Sequence, residues 1–169
     1  MPAPTISDRT LRLWSPLLRG GLTLAVVDFL WAEVLGWAYG AAPLSAFRGV
    51  AAVVTAPTWM PELQPTLALG LLAHVAVAFT WAALYLLLQR NSRWLHTLSS
   101  TRRGQLAIAA VYGPLIWVVM SRVVIPTMTG RAAALSIRWA VQLAGHVFFV
   151  GLPVVLGVGR PPLSDATRR

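Results

Sequence analysis

Six side chains in this sequence pair a reactive or hydrogen-bonding type with an apolar setting: Asp28, Glu33, His74, Arg122, Gln142 and His146. An ionisable group inside an apolar helix costs several kcal/mol unless it is paired or hydrated, so each begins as a functional candidate. His74 and His146, on two separate apolar runs, suit the two axial positions of a b-type haem. Small residues beside them (Gly70, Ala73, Ala78 and Gly145) would leave room for the macrocycle. Glu33 with both imidazoles gives a carboxylate and two nitrogens, a donor set for a divalent metal. Asp28, Glu33 and the histidines also suit proton handling or the passage of a small solute. The structural alternative pairs Glu33 with Arg122 and places each His on a backbone carbonyl or on Gln142. No phosphate loop, nucleophile–base pair or dinucleotide fingerprint is present, so the chain reads as non-enzymatic. With no Cys, disulfides, thiol catalysis and Cys-ligated clusters are excluded.

The elements that must hold these groups follow from composition. Hydrophobic residues make up 57% of the 169 and charged ones 11%, against roughly 45–50% and about 25% in soluble domains. A chain this short cannot turn so much apolar surface inward, so the excess faces lipid. Four runs approach the ~20 residues that a bilayer demands, at 22–41, 67–88, 105–125 and 139–158. None alternates as a barrel strand does, and helices alone then satisfy the backbone in lipid. The expected fold is an all-α integral membrane protein, one domain over 1–169 with a four-transmembrane-helix bundle and short polar tails at 1–15 and 161–169. Residues 44–54 are apolar but too short to span, which predicts an interfacial or re-entrant helix between the first two spans. Residues 127–138 predict a shorter cap of the same kind, and Pro114 and Pro153 predict kinks. Asp28 and Glu33 interrupt the first run, which favours a retained helix over a cleaved signal peptide.

A net charge of +9 raises nucleic-acid binding, but the distribution argues against it. Ten arginines (Arg9, Arg12, Arg19, Arg90, Arg93, Arg102, Arg103, Arg160, Arg168 and Arg169) fall on the side of the termini. Only Arg48, Arg122, Arg131 and Arg138 fall on the other. Positive-inside bias therefore places both termini in the cytoplasm, and the membrane reads as a bacterial inner membrane. Trp14 and Trp94 would lie in one aromatic belt, with Trp37, Trp59 and Trp139 in the other. At ~1.5 Å per residue, Glu33, His74 and His146 share a depth about 10–12 Å below the outer boundary. Arg122 lies shallower and Asp28 deeper. His74, Ala78, Trp81 and Tyr85 form one helical stripe, and Gln142, His146, Phe149 and Pro153 another. Gly36 and Gly40 share the Glu33 face at a spacing that suits close helix approach. Asp28 and Glu33 are about 140° apart around their helix, so they do not make one paired-carboxylate site.

The run from His74 through Phe79 to Tyr85, the glycines Gly104 and Gly113, residues 125–130 (IPTMTG) and the Gly145–His146 pair resemble the YagU-like family. Those are small bacterial inner-membrane proteins without an established biochemical activity, and the likeness would extend over residues 20–158. It implies architecture and location and supplies no reaction. In that family an acidic residue precedes the Gly–His pair, where this sequence offers Gln142. The expected role is an accessory or structural subunit of a membrane complex, in contact with lipid and with itself or a larger partner. Haem-b electron transfer through His74 and His146, and conduction through Asp28 and Glu33, stand as alternatives.

Overall fold

Apolar runs of this length close every backbone hydrogen bond within themselves, and the result is helix from end to end. A computed structural model describes residues 6–57 and 64–160, with side chains from residue 14 onward. Trp59, the stretch 161–169 and the side chains of Arg9 and Arg12 lie outside the described residues. In chain order the helices are α1 (Ile6–Ala38), α2 (Ser45–Val54), α3 (Leu67–Asn91), α4 (Arg93–Leu98), α5 (Arg102–Val119), α6 (Ile125–Thr129), α7 (Ile137–His146) and α8 (Leu152–Val158). Two π turns, Met120–Val124 and Val147–Gly151, join α5 to α6 and α7 to α8. Four stretches are long and apolar enough to cross a membrane: Trp14–Ala38, Leu67–Asn91, Arg102–Thr129 and Ile137–Val158. The all-α, four-span fold with a shorter helix between the first two spans is thus the one adopted.

Two expectations about its edges need correction. The stretch 1–15 is not a tail throughout, because α1 already begins at Ile6. Arginine is a good helix former with a long apolar stem, so Arg12 and Arg19 do not end the helix as a polar boundary would. No cap forms over 127–138 either. Thr127–Thr129 ends the third span in α6, Gly130 turns left-handed at φ 69°, and 131–136 carry no helix until Ser136 caps α7 through the Trp139 amide.

Packing and lipid exposure divide α1 lengthwise. Gly20, Gly21, Leu24, Ala25 and Leu35 are buried on one side. Leu18, Leu22, Val26, Leu30 and Val34 follow one another every fourth residue on the other, each 49–56% exposed. That outer line is apolar surface for lipid or a partner helix to cover. The buried core is drawn from the half of the bundle that holds the termini: Leu24, Ala82, Tyr85, Ile108, Ala109, Val154, Val155 and Val158.

Each π turn ends two residues before a proline, Val124 before Pro126 and Gly151 before Pro153. A proline ring crowds the carbonyl four residues back and lacks an N–H, and a widened turn absorbs both defects locally. Pro114 distorts nothing comparable and sits inside regular α5. The fourth-span π turn also brings backbones together. A Cβ on Gly113 would collide with the His146 carbonyl and the Gly151 amide, and one on Gly151 with the Ala109 carbonyl.

Candidate functional site

Three contacts dock the first span against the second and the fourth. His74 on α3 donates from Nε2 to the Ala25 carbonyl of α1 at 2.9 Å. Trp31 on α1 donates from Nε1 to Gln142 Oε1 of α7 at 2.8 Å. The Trp31 indole also fills the space where a Cβ on Gly145 would stand, and it stacks on Phe149 with ring centroids 4.4 Å apart. Asp28 lies between Ala25 and Trp31 along α1. Its carboxylate is within electrostatic reach of His146 and, more weakly, of His74. His146 donates from Nδ1 to the Gln142 carbonyl at 2.6 Å and packs its ring on Trp117 at 4.9 Å. The His74 ring meets the edges of Phe29 and Phe47 at 6.4 and 5.8 Å.

These hydrogen bonds decide the tautomers. A carbonyl oxygen can only accept, so His74 carries its hydrogen on Nε2 and His146 on Nδ1.

Glu33 belongs elsewhere, and the expected cluster of Glu33 with the two histidines does not form. Its carboxylate accepts the Leu44 amide at 2.8 Å and the Ala46 amide at 3.0 Å, at the start of α2. Leu44 occupies the cap position with a left-handed φ of 60° and offers no side-chain acceptor. Glu33 supplies that acceptor from the neighbouring span, a negative group against the positive end of a helix. The 140° between the carboxylates is the cause, since one faces the other spans and the other faces α2. Gly40 also has a different task from the one its spacing implied. It is the left-handed residue, φ 76°, that ends α1 in a Schellman turn, with Ala41 N–H on the Gly36 carbonyl and Gly40 N–H on that of Trp37.

The expected Glu33–Arg122 pair is likewise not made. Arg122 donates to the Ala133 carbonyl at 3.0 Å and lies over the Trp139 ring at 5.4 Å. Trp139 itself packs inward, donating to Ser121 Oγ at 3.1 Å while its carbonyl accepts from Trp117 at 3.2 Å. Trp14, Trp37 and Trp94 stay exposed near the span ends, as belt residues do.

A second polar group was not foreseen. Gln89, fully buried near the other end of α3, donates to Ser99 Oγ at 2.9 Å and to the Gly159 carbonyl at 2.8 Å. It ties the end of the second span to the turn after α4 and to the end of α8. Its signal was available, because Gln89 continues the stripe of His74, Ala78 and Tyr85 by one more turn.

Neither expected cofactor fits. His74 directs Nε2, the usual haem-ligating nitrogen, at the Ala25 carbonyl. The space expected for a macrocycle is filled by the Phe47 backbone against Gly70 and by the Trp31 ring against Gly145. Among the described residues, no three His, Asp or Glu side chains are placed to hold a metal ion. No family model, curated protein or solved structure matches the chain.

Proposed function

We propose that this multi-pass membrane protein is a non-enzymatic accessory subunit of a bacterial inner-membrane complex, with both termini in the cytoplasm. The observation that carries the reading is the fate of the polar side chains. Glu33, His74, Arg122 and Gln89 all bind backbone groups of their own chain, which makes them fastenings of the fold. The uncovered apolar line on α1 supports it, because helices only 22–39% buried within the bundle offer broad faces to lipid or partner helices. The arginine bias toward the termini supports the orientation. The resemblance to the YagU-like family points to the same architecture and location.

Two measurements test the two parts. The chain lacks Cys, so single Ser100→Cys and Ala132→Cys variants report sidedness directly. A membrane-impermeant maleimide applied to intact spheroplasts should label Ala132→Cys and spare Ser100→Cys; the opposite pattern overturns the orientation. Gentle extraction from native membranes should yield an assembly of fixed stoichiometry, well above the 18.3 kDa chain. A monodisperse single chain would overturn the subunit role.

A further inference from the structure

At the end of the bundle that holds the termini, one buried knot of hydrogen bonds gathers three spans. Gln89 of α3 donates to Ser99 Oγ at 2.9 Å and to the Gly159 carbonyl at 2.8 Å. Gln105 of α5 donates to the Ser99 carbonyl at 3.1 Å. A Cβ on Gly104 would strike the Leu98 carbonyl, so the start of α5 lies directly against the end of α4. Arg90 follows Gln89, Arg160 follows Gly159, and Arg102 and Arg103 come just before Gly104. Arginines from the second, third and fourth spans therefore stand around one fixed point. Arg90 is half-buried, and Arg102, Arg103 and Arg160 are exposed.

No described acid answers their charge. The two whose side chains are described, Asp28 and Glu33, lie within the first span. By sequence this end carries ten arginines against two acids, Asp8 and Asp165. Arg102 and Arg103 also occupy the first turn of α5, which holds no acid and where the positive end of the helix dipole disfavours a cation. The arginines at the α2 end fare differently. Arg122 donates to the Ala133 carbonyl, and Arg138 lies over the Tyr39 ring at 5.2 Å. Arg90, Arg102, Arg103 and Arg160 have no such side-chain contact among the described residues.

An anion would balance this rim, and the surface beside it says which kind. Along the helices from the arginines, Leu84, Leu87 and Leu88 of α3 and Leu106 of α5 are exposed, as is Trp94 between the two spans. At ~1.5 Å per residue, those leucines lie about 3–9 Å along the axis from the arginines. Guanidinium groups offer planar paired donors that suit a phosphate. A free anion would use the arginines alone, whereas a phospholipid uses both the charge and the apolar surface next to it. We infer that this rim is a docking surface for anionic phospholipid. The headgroup phosphate sits on Arg90, Arg102, Arg103 and Arg160, and the acyl chains lie on the leucines beside them. This inference holds for either orientation in the membrane and stands or falls separately from the subunit role.

The test uses the full chain in detergent with equal amounts of phosphatidylglycerol and phosphatidylcholine carrying the same acyl chains. Native mass spectrometry then counts the lipid each molecule retains. The wild type should retain phosphatidylglycerol in clear excess, and equal retention of the two lipids overturns the proposal. Arg102→Gln combined with Arg103→Gln should lower that excess by about tenfold or more. Arg48→Gln combined with Arg131→Gln makes the same charge change at exposed residues of the α2 end and should leave the excess intact. An excess that survives the first pair, or falls equally in the second, overturns the assignment to this rim. If the first pair fails to fold, Arg160→Gln serves instead, with an expected fall of about fivefold; no fall overturns the proposal. Millimolar inorganic phosphate should leave the lipid in place, and its full displacement would overturn the lipid in favour of a free anion.

Discussion

Where α1 meets α2, the Glu33 carboxylate receives two backbone N–H groups at 2.8 and 3.0 Å. Where α1 meets the second and fourth spans, the Asp28 carboxylate accepts no hydrogen bond from the described residues, and His74 and His146 give their N–H groups to the Ala25 and Gln142 carbonyls. Both are acids in the same apolar helix, and identity alone does not separate them. What separates them is whether backbone donors reach them. Two backbone donors turn Glu33 into a fastening, and Asp28 has no such donor among the described residues. Depth is thus a poor guide to whether an intramembrane charge is fastened, and its partners are a better one.

Substitutions can break that contrast region by region. The largest effect is expected from Gly113→Val, whose side chain would strike the His146 carbonyl and the Gly151 amide. The fourth span must move off α5, at a cost of about 3 kcal/mol, which thermal unfolding in detergent would register. The α2 junction should survive it, with the Leu44 and Ala46 amides still protected from hydrogen exchange. Glu33→Ala is expected to do the converse. Losing two charge-assisted bonds costs about 2 kcal/mol and frees those same amides to exchange, while the Trp31–Gln142 contact stays closed. A smaller loss, about 1 kcal/mol, is expected for His74→Ala, which removes one interhelical bond to the Ala25 carbonyl. Exchange at Leu44 and Ala46 should not respond to it.

Much of the fold was legible in the sequence because lipid allows so few solutions. Span number and the short helix after Pro43 follow from apolar length alone, and the separation of Asp28 from Glu33 follows from helical phase. The rest depends on neighbours that sequence distance hides. Glu33 finds its donors beyond a turn that reverses the chain, so phase could say what it does not face but not what it does. Gly40 reads as a packing residue by spacing and acts as a helix terminator by φ. The π turns arise where Pro126 and Pro153 meet packing, whereas Pro114, the other proline singled out, leaves α5 regular. Gly70 and Gly145, which looked like room for a cofactor, are the places where Phe47 and Trp31 come closest.

The most direct measurement is the unfolding stability of Glu33→Gln and Asp28→Asn, side by side with the wild type at neutral pH. Glu33→Gln keeps the shape but weakens the hold on α2, and should fall below the wild type by about 1 kcal/mol. Asp28→Asn removes a charge that no donor among the described residues holds, so it should match or exceed the wild type. Equal losses in the two variants, or a larger loss in Asp28→Asn, would contradict the division between a fastened and an unfastened carboxylate.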